Sequence, residues 1–169
     1  LARLHRRYQE CEALLREAGA LFAADHPAQA YGIFVAGKAA FDQHDLDAAT
    51  TAFTQARRLW QGEDNSGRAA LCIQNLGRIA TARGDPQMAI PLYEQAIELL
   101  TAVSDWSNLA ATQMNLGVTY YECHQYTEAL AFYSAAEIRF HTMNDDRHLA
   151  MVYNNLGLVY TALGELHEA

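Results

Sequence analysis

The sequence predicts an all-α fold, a solenoid of antiparallel helical hairpins forming an alpha-alpha superhelix. Three observations predict it. Glycine recurs at a spacing of 40, as Gly37, Gly77, Gly117 and Gly157. Each glycine has companions at fixed offsets. Leu76, Leu116 and Leu156 precede it, with Asn75, Asn115 and Asn155 before them. After it come an alanine (Ala49, Ala89, Ala129, Ala169), an aromatic (Phe53, Tyr93, Tyr133) and a second alanine (Ala56, Ala96, Ala136). Chance does not align six columns over three to four copies. Finally, the composition suits long packed helices, with 51% hydrophobic residues and only three prolines, Pro27, Pro86 and Pro91.

The elements follow in order. Residues 1–25 depart from the columns, but Tyr8, Cys11, Leu15, Ala18 and Phe22 form an amphipathic stripe. This predicts a helix over 3–23, the second helix of a diverged preceding hairpin. Repeat 1 (26–65) carries helices at 27–43 and 46–61, and repeat 2 (66–105) at 67–83 and 86–101. Repeat 3 (106–145) carries them at 106–123 and 126–141. The truncated repeat 4 (146–169) has one at 146–163 and the start of another from 165. Asp25, Asn65, Asp105 and Asp145, again 40 apart, are placed to cap the first helix of each repeat. Inside the hairpins, Gly84-Asp85-Pro86 reads as C′ glycine, N-cap and N1 proline. His44-Asp45, His124-Gln125 and Gly164-Glu165 hold the equivalent sites, so His44 and His124 are expected in a left-handed turn. Neither end looks like a polar solenoid cap and the sequence has no initiator Met, so the expectation is a fragment of a longer protein.

The columns have a packing meaning. A glycine in the first helix and alanines in the second let two backbones approach closely. The aromatic fills the remaining space, small against large, as helices interlock at native density.

Leu-Gly followed by alanine, aromatic and alanine at these offsets resembles the tetratricopeptide repeat superfamily over residues 26–169. Some features depart from that pattern. The Trp near the start of each repeat is missing, and the Tyr ending the first helix is kept only as Tyr120 and Tyr160, with Ala40 and Ala80 elsewhere. The period is 40, where about 34 is usual. The longer form with Asn-Leu-Gly is similar to the repeats of kinesin light chains. It is also similar to bacterial peptide-sensing regulators and to the sensor arms of signal-transduction ATPases and transcriptional activators.

The resemblance implies a module that binds a protein or peptide in a concave groove lined by the first helices. In repeat 1 these positions are Tyr31, Phe34, Lys38 and Phe41, and in repeat 2 Leu71, Gln74, Asn75 and Arg78. Repeat 3 supplies Met114, Asn115, Val118 and Tyr121, and repeat 4 Asn154, Asn155 and Leu158. Asparagine is a poor helix-interior residue. Its amide pairs with both N–H and C=O of an extended peptide, which suits sequence-tolerant capture. The alternative is that Asn75, Asn115 and Asn155 hold the stack together. Phe34, Phe41, Met114 and Tyr121 would anchor apolar side chains. The positions of the two-carboxylate clamp of chaperone-tail receptors read Phe34, Lys38, Asn75, Ala111 and Asn115, and only one matches in kind. That specialised function is therefore not expected.

Other function classes find little support. The net charge of −8 disfavours a nucleic-acid partner. Residues 1–60 hold seven basic and seven acidic groups, whereas 61–169 hold five and thirteen, which favours a basic partner for the C-terminal part. Three cysteines far apart, Cys11, Cys72 and Cys123, fit a reducing, cytoplasmic setting, with Cys72 and Cys123 as small core residues. No apolar run is long enough for a membrane span, so no membrane partner is expected. Phosphate-loop, zinc-protease, CxxC and nucleophile-elbow patterns are lacking, so no catalytic residue, cofactor or metal is assigned. Asp145-Asp146 reads as a cap and first-turn pair. A second function class is structural self-association. There open solenoid ends would stack end to end, or a homodimer would form through the truncated repeat, across a face of Met151, Val152, Leu156, Val159, Tyr160 and Leu163.

Overall fold

The computed structural model describes residues 26–62 and 65–168, with side-chain surroundings for 28–62 and 65–164. The helix expected over 3–23 and the cap at Asp25 lie outside the described residues, as do Cys11 and Ala169. Seven α-helices follow one another: α1 (His26–Asp42), α2 (Leu46–Gly62), α3 (Ser66–Ala82), α4 (Pro86–Ala102), α5 (Trp106–Glu122), α6 (Tyr126–Thr142) and α7 (Asp146–Glu168). Among the described residues there is no strand. The first six helices are each 17 residues long, and three residues separate every successive pair. A helix plus its linker therefore spans 20 residues and a hairpin 40, which is the physical origin of the repeat length.

Five of the six linkers share one turn. His44, Gly84 and His124 inside the hairpins have φ of 61°, 69° and 60°, the left-handed conformation expected there. Ser104 and Asn144 between hairpins adopt it too, at 57° and 54°, which the sequence columns did not indicate. The next residue closes each turn by donating its backbone N–H to the carbonyl five residues back: Asp45 to Ala40, Asp85 to Ala80, Asp105 to Leu100, Gln125 to Tyr120 and Asp145 to Phe140, at 2.9–3.0 Å. That residue also starts the next helix. Asp45, Asn65, Asp85, Asp105 and Asp145 accept the N–H of the residue three further on, at 3.0–3.2 Å. Gln125 makes no such side-chain bond. Asp145 also takes the His148 imidazole at 2.6 Å, and these bonds hold its carboxyl below the usual range.

One boundary differs from expectation. The chain does not turn at Gly164, and α7 runs on to Glu168. Glu165 replaces the Asp that caps α2 and α4. Glu-Leu-His-Glu offers mostly good helix formers, so local propensity carries the helix through one glycine.

The chain forms two compact units, residues 1–79 and 80–169. In the first, α1 pairs with α2. Ala49, Phe53, Ala56 and Trp60 from α2 form its core with Ala30, Ala69, Cys72 and Ile79. A Cβ on Gly37 would lie 3.0 Å from the Phe53 ring and 3.2 Å from the Ala52 methyl, so the glycine is what lets α1 and α2 close. Cys72 is a buried core residue, as expected; burial pushes its thiol up to about 12, so it stays protonated. Cys123 is only half-buried, because it occupies the C-cap of α5.

In the second unit α4 pairs with α5, α5 with α6, α6 with α7, and α5 also touches α7. Ala129, Tyr133, Ala136 and Phe140 of α6 pack with Ala110 and Met114 of α5 and with Leu149, Val152, Leu156 and Val159 of α7. A further cluster gathers Ala80, Ala89, Tyr93 and Leu116. Below it, the hydroxyl of Thr81 lies 3.0 Å from that of Thr119 and 3.4 Å from that of Tyr93. The alanine and aromatic columns are thus buried as predicted. So is one more, Trp60, Leu100 and Phe140, each at most 1% exposed. Its mixed residue types hid it from a search for identities.

Gln113 breaks the apolar pattern. Its column holds Ile33 and Ile73 in the earlier repeats. Gln113 is 8% exposed, and its Oε1 finds no partner among the described residues. A buried acceptor without a hydrogen bond costs about 1–3 kcal/mol. Gln113→Ile should therefore raise stability by about 1–2 kcal/mol, read from urea unfolding. A stability loss would mean that the amide has a partner.

Candidate functional site

The predicted groove residues fall on the first helices of both units. In the first unit, Tyr31 is 55% exposed, Lys38 is exposed, and Phe34 and Phe41 are half-buried. Phe34 turns into the core: its ring lies 5.5 Å from Phe53 and 5.4 Å from Trp60. Its aromatic surface is therefore largely occupied. On α3, Leu71 and Arg78 are half-buried, while Gln74 and Asn75 are less than a tenth exposed.

Asn75 is already engaged. Its Nδ2 donates to the Leu71 carbonyl at 2.7 Å, and its Oδ1 accepts from Arg78 Nη1 at 3.1 Å. Both bonds lie within α3, so they satisfy the amide in its own helix. One N–H and one acceptor lone pair of the amide stay available in principle. Arg78 also places its guanidinium 4.5 Å from the centre of the Phe41 ring.

Arg68, which the sequence reading did not single out, does the same near the other end of the seam. Its guanidinium carbon is 5.6 Å from the Tyr31 ring and 5.6 Å from that of Trp60. The α1–α3 seam is thus bracketed by two cation–aromatic pairs, Arg68 with Tyr31 and Arg78 with Phe41, with Lys38 between them in sequence on α1. Such pairs hold flat guanidinium groups while leaving donors for a ligand. The clue in the sequence was the ten-residue spacing shared by Tyr31–Phe41 and Arg68–Arg78.

In the second unit the positions are less open. Met114 belongs to the core. Asn115, Val118 and Tyr121 are half-buried on α5, and Tyr121 tilts against Tyr126 at 5.6 Å. On α7, Asn155 is half-buried, and Asn154 and Leu158 are exposed. Burial raises the Glu122 carboxyl above its usual range. Among the described residues, no group of three or more His, Cys, Asp or Glu is placed to hold a metal ion, and no helix is long and apolar enough to cross a membrane.

The face expected to drive self-association is largely covered. Val152, Leu156 and Val159 are buried against the α5–α6 pair, and Leu163 is half-buried. Only Met151 and Tyr160 of that set are exposed. The error was to read all apolar positions of α7 as one face. They form two, and one of them already has its partner.

Solved structures of similar fold include aspartyl phosphate phosphatase F from Bacillus subtilis (TM-score 0.85, 18% identity, 99% of this chain and 46% of that one). Another is the TPR-like repeat structure of a putative kinesin light chain from Podosopora anserina (TM-score 0.74, 19% identity, 98% and 82% covered). A third is a signal-transduction ATPase with numerous domains, with a tetratricopeptide repeat sensor, from Pyrococcus horikoshii (TM-score 0.78, 16% identity, 89% and 24% covered). At these identities the likeness carries the fold. This chain spans under half the length of the phosphatase and about a quarter of the ATPase. No curated protein matches the sequence. The family model described as tetratricopeptide repeat matches residues 28–102 and 108–169, which is most of the chain and includes every column of the 40-residue pattern. The chain belongs to the tetratricopeptide repeat family.

Proposed function

We propose that the chain works by binding another polypeptide along its first helices, without catalysis, as the sensor arm of a larger regulator. The observation that carries this reading is the α1–α3 seam. Tyr31 and Lys38 are exposed there, beside two guanidinium groups held on aromatic rings. Aromatic surface with fixed donors suits an extended segment whose carbonyls and carboxylates face the seam. Family membership supports the class of function, and likeness to a sensor-bearing ATPase supports the regulatory setting. In the second unit, Asn115, Tyr121 and Asn154 offer amides and one ring, and the acidic surplus there favours basic side chains in the ligand.

Selection from a displayed peptide library, followed by titration of the enriched peptides, tests the reading. Tyr31→Ala with Lys38→Ala should weaken binding at least about tenfold while barely moving the melting temperature, because both side chains are exposed. Asn75→Ala with Asn115→Ala should also weaken it. If that pair instead lowers melting strongly and leaves binding intact, the asparagines serve the stack. If no enriched peptide responds to the Tyr31 and Lys38 changes, the seam is not the site.

A further inference from the structure

Charge is unevenly placed on the first helices. The two helices of the seam, α1 and α3, carry Lys38, Arg68 and Arg78 against a single carboxylate, Asp42, at the last residue of α1. The next first helix, α5, carries no Lys or Arg. In a chain of net charge −8 the seam is a local basic strip.

Its two guanidinium groups are held in place. Arg78 lies 4.5 Å from the centre of the Phe41 ring while its Nη1 donates to Asn75 Oδ1. Arg68 lies 5.6 Å from both Tyr31 and Trp60, and Trp60 is itself fixed in the core. Among the described residues, none of Lys38, Arg68 and Arg78 is paired with a carboxylate. An aromatic face beneath a guanidinium restrains its plane and leaves N–H groups at its edge, the arrangement that takes a carboxylate on two parallel bonds.

Spacing decides what fits. Tyr31 to Phe41 and Arg68 to Arg78 are both steps of ten residues in the same direction, so α1 and α3 run parallel along the seam. Ten helical residues rise about 15 Å. An extended segment advances about 3.3 Å per residue and returns a side chain to the same face at every second one. On one face, residues i and i+2 are therefore about 7 Å apart, i and i+4 about 13 Å, and i and i+6 about 20 Å. The i, i+4 spacing comes nearest to the separation of the two arginines.

We propose that the α1–α3 seam selects an extended segment of another polypeptide with two acidic side chains four residues apart, one on Arg68 and one on Arg78. Lys38, three residues from Phe41 and seven from Tyr31, adds charge at the Arg78 end. The proposal rests on the reading of the seam as a peptide site and adds the charge and spacing of its ligand. A second copy of the chain fits poorly, because residues 66–168 are helices joined by three-residue linkers and offer no extended run of five.

The probes are fluorescent, C-terminally amidated nine-residue peptides of Ser, Thr and Val. One has Glu at positions 3 and 7, one has Glu at 3 and 5, and one has Gln at 3 and 7. Titrated with the full chain at low salt, the 3,7 peptide should bind at least about tenfold tighter than the Gln peptide and at least about threefold tighter than the 3,5 peptide. Salt of about 0.5 M should shrink the preference. Arg68→Gln, at an exposed position, should remove most of it without moving the melting temperature. Arg78→Gln should remove it too, but that change also frees Asn75 and Phe41. Charge reversal gives the independent check: Arg68→Glu should bind one of the two peptides carrying one Lys and one Glu better than the unaltered chain does. If Glu and Gln peptides bind alike and both respond to Tyr31→Ala, the charge selection is overturned while the seam stands as a peptide site. An acidic preference that survives Arg68→Gln lies elsewhere and overturns the proposal. So does binding that requires a free C-terminal carboxylate, or no binding of the 3,7 peptide up to about millimolar.

Discussion

Tyr133→Ala should destabilise the second unit by about 3–5 kcal/mol, the usual range for removing a buried ring. Tyr133 is 2% exposed and packs between α5 and α7, where Ala110, Met114, Val152 and Val159 share its cluster. Burial and the nearby Glu122 also raise its phenol well above the usual range, so the ring sits in the core as a neutral group at any working pH. The companion change is Gly117→Ala. Its methyl would fall 2.7 Å from Tyr133 Cε1, a distance that a locked ring cannot relieve, so a loss of about 1–3 kcal/mol is expected. In the Tyr133→Ala background the clash is gone, and Gly117→Ala should become neutral or stabilising through helix propensity. Gly157→Ala, in the same column but with open space, should stabilise by up to about 1 kcal/mol. Urea unfolding of the four variants gives the coupling directly. Additive effects at Gly117 and Tyr133 would show that the two residues do not share one contact.

Ala129→Leu and Ala89→Leu should each cost about 1–3 kcal/mol by overpacking. Both alanines are fully buried, Ala129 beside Tyr133 and Ala89 beside Tyr93. Three added carbon atoms must push a helix outward or force a rotamer. Glu94→Gln, on the exposed side of α4, should stay within about half a kcal/mol. Thermal and urea unfolding of the three proteins settles the matter. Equal effects at Ala129 and Glu94 would contradict the burial of the alanine column.

The fold was legible because its determinants repeat. Ala49, Ala89 and Ala129 have no freedom to become larger, and Asp45, Asp85, Asp105 and Asp145 must offer an oxygen to a helix N-terminus. Identity is preserved wherever geometry admits one type of residue. Trp60, Leu100 and Phe140 occupy an equally buried site, but that site accepts any large apolar group, so the letters drift and the column is invisible to matching. The left-handed turns behave the same way: His44, Gly84, Ser104, His124 and Asn144 share one backbone conformation without sharing a side chain. The candidate site was harder to read. Spacing placed Phe34, Asn75 and Met114 on the first-helix face, yet it could not show that Phe34 leans onto Trp60, that Asn75 bonds within α3, or that Met114 joins the core. Those outcomes depend on which neighbour is larger, a three-dimensional matter. Arg68 escaped notice because a lone arginine at a helix start looks like a solvated surface charge until a ring is found beneath it.

The uniform joining of helices by three-residue linkers also bears on how quickly the protein assembles. In the second unit each paired contact links helices adjacent in sequence, apart from α5 with α7, which are two apart. The chain closes only short loops before apolar contacts reward it, so little entropy is lost ahead of the gain. Folding in the microsecond to millisecond range follows for such topologies. Any hairpin can serve as the starting point, and growth proceeds outward from it by one neighbouring helix at a time.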